Sequence, residues 1–236
     1  MRDRIAKQRL NVMLVVDCST SMRGERIAQV NGALRDIKRK LVEMQDENSN
    51  VDFYVTVVTY STDARLLNND EMKPVEEFDF KDIKAGGWSN LHLAYLKLAD
   101  LLKKESYGGI MPDFGGVAPI ILLLTDGHPT KYPMTDEMAK LRSLPWFKVA
   151  LKYGIAIELN DKRTKEVLND FVSGQGDVID CYDARLLERI IKIIILTASK
   201  VKSTTANVQF DKKTTVADEV KQEVQLALAE VDDWEW

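Results

Sequence analysis

Residues Asn11–Asp17 read NVMLVVD and run directly into Cys18-Ser19-Thr20-Ser21-Met22. A short, almost wholly apolar run rich in valine, ending at an aspartate, is the pattern of a strand buried on both faces. Strands of that kind belong to parallel sheets covered by helices, and the next segment supplies a cover. In Glu25–Met44, Ile27, Val30, Leu34, Ile37, Leu41 and Met44 stand three and four residues apart, the spacing of an amphipathic helix. Val51–Tyr60 (VDFYVTVVTY) is dense in β-branched and aromatic residues and reads as a second strand. Ala64–Leu67 follows the Ser61-Thr62-Asp63 turn as a short edge strand.

The alternation continues. Leu91–Leu102 is helical by its leucines, Pro119–Thr125 (PIILLLT) is the most buried strand pattern in the chain, and Thr135–Leu144 is a helix. Phe147–Leu159 holds a further strand, Arg163–Phe171 a helix, Asp177–Cys181 a last strand, and Asp183–Lys200 an isoleucine-rich helix. The Gly- and Pro-containing stretch Tyr107–Gly116 is a loop insertion, because the alternation resumes in phase after it. This order predicts an α/β domain over residues 1–200. Its core is a doubly wound, mostly parallel Rossmann-like sheet with helices on both faces and one short antiparallel edge strand.

Residues 201–236 are set apart by charge. Asp218, Glu219, Glu223, Glu230, Asp232, Asp233 and Glu235 face only Lys221, giving the last twenty residues a charge of −6 in a chain whose net charge is −4. Val216, Val220, Val224, Leu228 and Val231 step three or four apart, so a terminal amphipathic helix is expected. It ends near Trp234 and Trp236, two of the four tryptophans, which are anchors either for the domain's own core or for another chain. Asp232, Asp233 or Glu235 of such a tail is also chemically able to reach the site of a neighbouring copy, so self-association is one expectation.

Composition narrows function. A chain of 236 residues, 45% hydrophobic and 30% charged, sustains a real core. With 33 basic against 37 acidic side chains, it has no electrostatic case for nucleic acid. The longest apolar run, Val117–Leu124, is eight residues where a membrane span needs about 20. Two cysteines, Cys18 and Cys181, are too few for a disulfide framework, and the N-terminus lacks an apolar signal core, so a cytoplasmic setting is expected.

Chemistry is expected where strands end, because open α/β sheets bind ligands outside the carboxyl ends of their strands. After the first strand comes Asp17-Cys18-Ser19-Thr20-Ser21, and after the strongest apolar strand comes Thr125-Asp126-Gly127-His128. Between them a loop enters a helix at Gly86-Gly87-Trp88-Ser89-Asn90. Two carboxylates and several hydroxyls, with no imidazole or thiolate pair, suit a hard cation. Taken one at a time, these segments read equally well as helix caps and turns. Their coincidence at three element ends favours the metal.

Asp17-x-Ser19-x-Ser21, Gly87-x-Ser89-Asn90-Leu91 and Thr125-Asp126-Gly127 together resemble the metal-ion-dependent adhesion site of von Willebrand factor A (vWA) domains, over roughly residues 8–200. The strings DCSTSM and LLLTDGHPT look closest to bacterial TerY-like vWA proteins of tellurite-resistance and stress operons. The resemblance implies a vWA fold and a Mg²⁺ ion, with Mn²⁺ or Ca²⁺ as alternatives. It implies Ser19, Ser21 and Ser89 as direct ligands and Asp17 and Asp126 acting largely through water. It further implies a non-enzymatic domain whose partner protein completes the metal shell with an aspartate or glutamate. A kinase-like protein and a PP2C-type phosphatase in a stress-response or phage-defence system are the partners this likeness suggests. Ser89 departs from the family's usual threonine, keeping the hydroxyl and losing the methyl that stiffens χ1.

Rival chemistries fit less well. Ser19 stands where a haloacid-dehalogenase-type phosphotransferase needs a second aspartate. Cys18 to Arg23 has four intervening residues where a cysteine phosphatase needs five, so Cys18 reads as a small buried hydrophobe. No GxGxxG follows the first strand and no GxxxxGK[ST] is present. A metal-dependent phosphohydrolase using the same oxygens is the remaining alternative, although it lacks an evident base. His92 and His128 read as first-turn and loop residues beside the site, a proton-transfer pair being the alternative, and His128 joins Trp88, Trp234 and Trp236 as a candidate for partner binding. Trp88 is either a rim anchor for a partner or a core ring.

Overall fold

The computed structural model describes residues 7–47, 51–69, 72–127, 129–157, 162–173, 177–182, 186–195, 219 and 222–226. Its strands are β1 (Gln8–Asp17), β2 (Val51–Tyr60), β3 (Ala64–Leu66), β4 (Lys73–Pro74), β5 (Ile120–Thr125), β6 (Leu151–Ile157) and β7 (Val178–Cys181). Its helices are α1 (Glu25–Glu47), α2 (Leu91–Leu101), α3 (Thr135–Ser143), α4 (Pro145–Val149) and α5 (Lys162–Val172), and residues 186–195 are also helical.

The sheet runs β3-β2-β1-β5-β6-β7. Every pairing from β2 through β1, β5 and β6 to β7 is parallel, whereas β3 lies antiparallel on β2. The doubly wound, mostly parallel α/β architecture is therefore as expected from the alternation. One detail differs: β4 also pairs antiparallel with β2, so two short strands rather than one run against the sheet. A second detail concerns Phe147, which lies in α4 rather than in the following strand; Pro145 at the start of that short helix fits a position needing no N–H.

Strand periodicity sorts the core. Leu10, Val12, Leu14 and Val16 of β1 point to the layer formed by Val30, Leu34, Ile37 and Leu41 of α1 and by Leu187, Ile190, Ile191 and Ile194. Met13 and Val15, the alternate residues, join Leu91, Ala94, Tyr95 and Leu98 of α2 and Leu168 and Phe171 of α5 on the other face. A period of two along one strand thus feeds two helical layers, which is why the run NVMLVVD shows no polar side. Val224, from the C-terminal segment, is buried in the first layer.

β1 lies between β2 and β5, so the chain moves to one side of β1 and then returns to the other. That reversal is the switch point at which such sheets bind ligands. Register places the strand ends level there, with Asp17 opposite Tyr60 and Val16 opposite Leu124.

Candidate metal centre at the carboxyl edge of the sheet

Three segments meet beyond the ends of β1 and β5. Residues 18–22 leave β1 and make a single turn over Thr20–Met22 before α1. Asp126 and Gly127 leave β5. Gly86–Asn90 arrives from the opposite direction, at the end of the connection between β4 and α2. That connection has little regular structure and is held by side chains. Asn31 of α1 brackets Ile83, donating to its carbonyl at 3.0 Å and accepting from its N–H at 2.8 Å. Gly86 N–H then donates to the Cys18 carbonyl at 2.7 Å, and Thr20 Oγ1 donates to the Gly87 carbonyl at 2.9 Å. Gly87 has φ +91°, and a Cβ there would stand 2.4 Å from Thr62 Oγ1, so glycine is required. The result is Ser89 delivered beside Asp17.

The site residues form one connected hydrogen-bond network, in which the Ser19 backbone N–H links Asp17 to the two serine hydroxyls. Ser89 Oγ and Thr125 Oγ1 donate to Oδ2 of Asp17 at 3.1 and 2.8 Å. The Ser19 N–H donates to its Oδ1 at 2.8 Å. Ser19 Oγ lies 3.0 Å from Ser21 Oγ, and Ser21 Oγ donates to Asp126 Oδ1 at 2.8 Å. The structure therefore brings all five expected site residues, Asp17, Ser19, Ser21, Ser89 and Asp126, into one network.

Burial grades across the cluster. Asp17, Ser19 and Asp126 are buried, Ser89 is half-buried and Ser21 is exposed, so the cluster reaches solvent at Ser21 and Ser89. Burial pushes the Asp17 carboxyl above its ordinary range, and the Asp126 charge adds to that, while hydrogen bonds from Ser19 and Thr125 act against it.

The donor set fits a hard divalent cation. Among the described residues no group of three or more His, Cys, Asp and Glu side chains is gathered; the oxygens brought together at this edge are those of two carboxylates and three serine hydroxyls. Octahedral ligands about 2.1 Å from Mg²⁺ lie roughly 3.0 Å from their neighbours. Ser19 Oγ and Ser21 Oγ have that spacing, 3.0 Å.

Other expected residues fall differently. Trp88 is 69% exposed, which excludes the core-facing alternative and leaves its ring on the rim of the cluster. Its N–H donates to Thr62 Oγ1 at 3.2 Å. Cys18 is buried on the α1 side, its Sγ donating to the Tyr60 carbonyl at 3.2 Å, and burial raises the thiol pKa to about 11. His92 Nδ1 is buried without a hydrogen-bond partner among the described residues. His128, Trp234 and Trp236, with the tail acids Asp232, Asp233 and Glu235, lie outside the described residues.

Two participants escape sequence reasoning. Thr62 follows β2 at the same edge, and strand register brings it in. Arg26, whose Nη1 donates to Asp126 Oδ2 at 2.6 Å, sits in the first turn of α1. There its charge reads as an ordinary solvated helix residue.

A doubly wound sheet carrying hydroxyls and carboxylates on three loops at its switch point defines a Rossmann-like class of α/β domain. The family model described as von Willebrand factor type A domain matches residues 11–192, and the chain belongs to that family. Among curated relatives, inter-alpha-trypsin inhibitor heavy chain H1 of Sus scrofa is 27% identical over 140 residues, covering 59% of this chain and 15% of the relative. Heavy chain H4 of Bos taurus is 30% identical over 120 residues, 51% of this chain and 13% of the relative. This chain therefore spans only a small part of those proteins. Solved structures share the fold: a von Willebrand factor type A protein from Catenulispora acidiphila (TM-score 0.60, 13% identity) over 81% of this chain and 43% of that one. The pilus adhesin SpaC from Lactobacillus rhamnosus GG, in its open conformation, aligns at TM-score 0.58 and 14% identity over 82% and 30%. These comparisons do not support the narrower TerY-like likeness, which rests on DCSTSM and LLLTDGHPT alone. No described helix is long and apolar enough to cross a membrane.

Proposed function

We propose that this vWA domain binds a partner protein through a divalent cation, Mg²⁺ first, and is not an enzyme. The observation that carries the reading is the continuous hydrogen-bond network from Ser89 through Asp17, Ser19 and Ser21 to Asp126, which reaches solvent at Ser21 and Ser89. A bound cation supplies a Lewis-acidic position that a carboxylate of another molecule can complete. Ser19, Ser21 and Ser89 are the direct ligands in this reading. Asp17 and Asp126, buried behind them, orient water and contribute negative charge. Trp88 on the rim gives an incoming partner an aromatic surface.

That partner, on the narrower likeness, is a kinase-like protein or a PP2C-type phosphatase in a bacterial stress or tellurite-resistance system. Self-association through the acidic tail is the other route by which a carboxylate reaches the cluster.

Calorimetric titration of the full chain with Mn²⁺ tests the site. One ion per chain is expected, with micromolar to millimolar affinity because few anionic groups bind it directly. Ser21→Ala is expected to weaken that binding while the fold still melts cooperatively. Absence of uptake by the intact protein defeats the assignment. Turnover of p-nitrophenyl phosphate with Mg²⁺, lost in Asp126→Ala, would instead establish the phosphohydrolase.

A further inference from the structure

Asp126 is held twice. Ser21 Oγ donates to Oδ1 at 2.8 Å and Arg26 Nη1 donates to Oδ2 at 2.6 Å. The Asp126 side chain is fully buried, whereas that of Arg26 is 29% exposed. The same Nη1 also reaches the Ser21 carbonyl at 3.3 Å, so one guanidinium contacts two of the segments that form the cluster. A buried carboxylate without a partner is costly, and Ser21 and Arg26 provide the partners of Asp126, of which Arg26 alone carries charge. A divalent cation at the neighbouring hydroxyls adds positive charge beside a group that is always protonated.

We infer that Arg26 is a built-in competitor of the cation: it holds Asp126 when the site is metal-free, gives it up as a cation binds, and thereby lowers cation affinity. This rests on the metal reading above. Two like-signed groups a few ångströms apart repel by enough, even after partial solvent screening, to alter affinity about tenfold. The exposed part of the arginine gives it a way out towards water, while Asp126 stays in place on Ser21. The opposite role, in which Arg26 positions Asp126 for the cation, predicts the opposite sign.

The test is Mn²⁺ calorimetry on the full-length wild type, Arg26→Gln and Arg26→Lys, with thermal melts of each with and without Mn²⁺. Arg26→Gln, which retains a hydrogen-bond donor, is expected to bind Mn²⁺ about tenfold more tightly, and Arg26→Lys to stay near wild type. Arg26→Gln is also expected to melt lower without metal and to gain more from Mn²⁺ than wild type does. Equal or weaker Mn²⁺ affinity of Arg26→Gln overturns the inference. If Arg26→Gln does not fold, arginine side-chain ¹⁵N spectra of the wild type decide. Restricted rotation of the Arg26 guanidinium is expected without metal and is lost at saturating Mg²⁺; an unchanged signal in a protein that binds the ion overturns the proposal. If no variant takes up Mn²⁺ and no melt moves, the metal reading itself falls and this inference falls with it.

Discussion

Ser89 Oγ donates a hydrogen bond to Oδ2 of Asp17 at 3.1 Å, joining the loop before α2 to the end of β1 across 72 residues. The contact needs an oxygen on Cβ and nothing more, which threonine also offers with a stiffer χ1. Ser89→Thr is therefore expected to keep or improve Mn²⁺ affinity, and Ser89→Ala to reduce it several-fold with little loss of stability. Calorimetry on the three proteins checks this, and equal affinities would remove Ser89 from the ligand set.

Gly87 sets the path that brings Ser89 to that position. At φ +91°, with a hypothetical Cβ 2.4 Å from Thr62 Oγ1, an alanine is both strained and sterically blocked. Gly87→Ala is expected to cost about 1–3 kcal/mol in urea unfolding. It is also expected to weaken Mn²⁺ binding, because Ser89 is displaced from Asp17. Gly87→Ala with Thr62→Ser as a second change leaves the Oγ1 clash in place and is not expected to recover either property.

Periodicity made the sheet and both helical layers legible, since a strand buried on two faces carries its partners' demands in every residue. The convergence of Asp17, Ser19, Ser21, Ser89 and Asp126 was legible for a related reason: each lies at or just beyond a strand end or just before a helix at one edge. What stayed hidden depends on register or on long side chains. β4 is two residues long and pairs through backbone, so no side-chain pattern marks it. Thr62 comes into the cluster only because β2 ends level with β1. Arg26 reaches Asp126 across 100 residues of sequence, and its side chain alone bridges the gap.

Cys18 lies inside the motif and is expected to be chemically quiet. The residue is 8% exposed, and its thiol is bonded to the Tyr60 carbonyl and raised by burial to a pKa of about 11. At pH 8 roughly one molecule in a thousand then carries the reactive thiolate. Iodoacetamide at pH 8 is expected to leave Cys18 unmodified in the folded chain and to alkylate it readily in urea, as read by peptide mass spectrometry. Rapid labelling in the native state would contradict the buried placement.

The C-terminal segment is amphipathic by sequence, and its described residues show which side is engaged. Val224 is 3% exposed and joins the layer that contains Ile190, Ile191 and Ile194, whereas Leu226 is 62% exposed. At least at Val224, then, the apolar stripe packs on this chain's own core. Removing two buried methyl groups in Val224→Ala is expected to cost about 1–2 kcal/mol. Leu226→Ala, two residues away on the solvent side, is expected to change stability by less than about 0.5 kcal/mol. Urea unfolding measures both, and sedimentation of the same variants reports association. A stable Val224→Ala variant that dissociates from a wild-type oligomer would instead place this stripe between chains. Loss of stability without change in sedimentation assigns it to the core of its own domain.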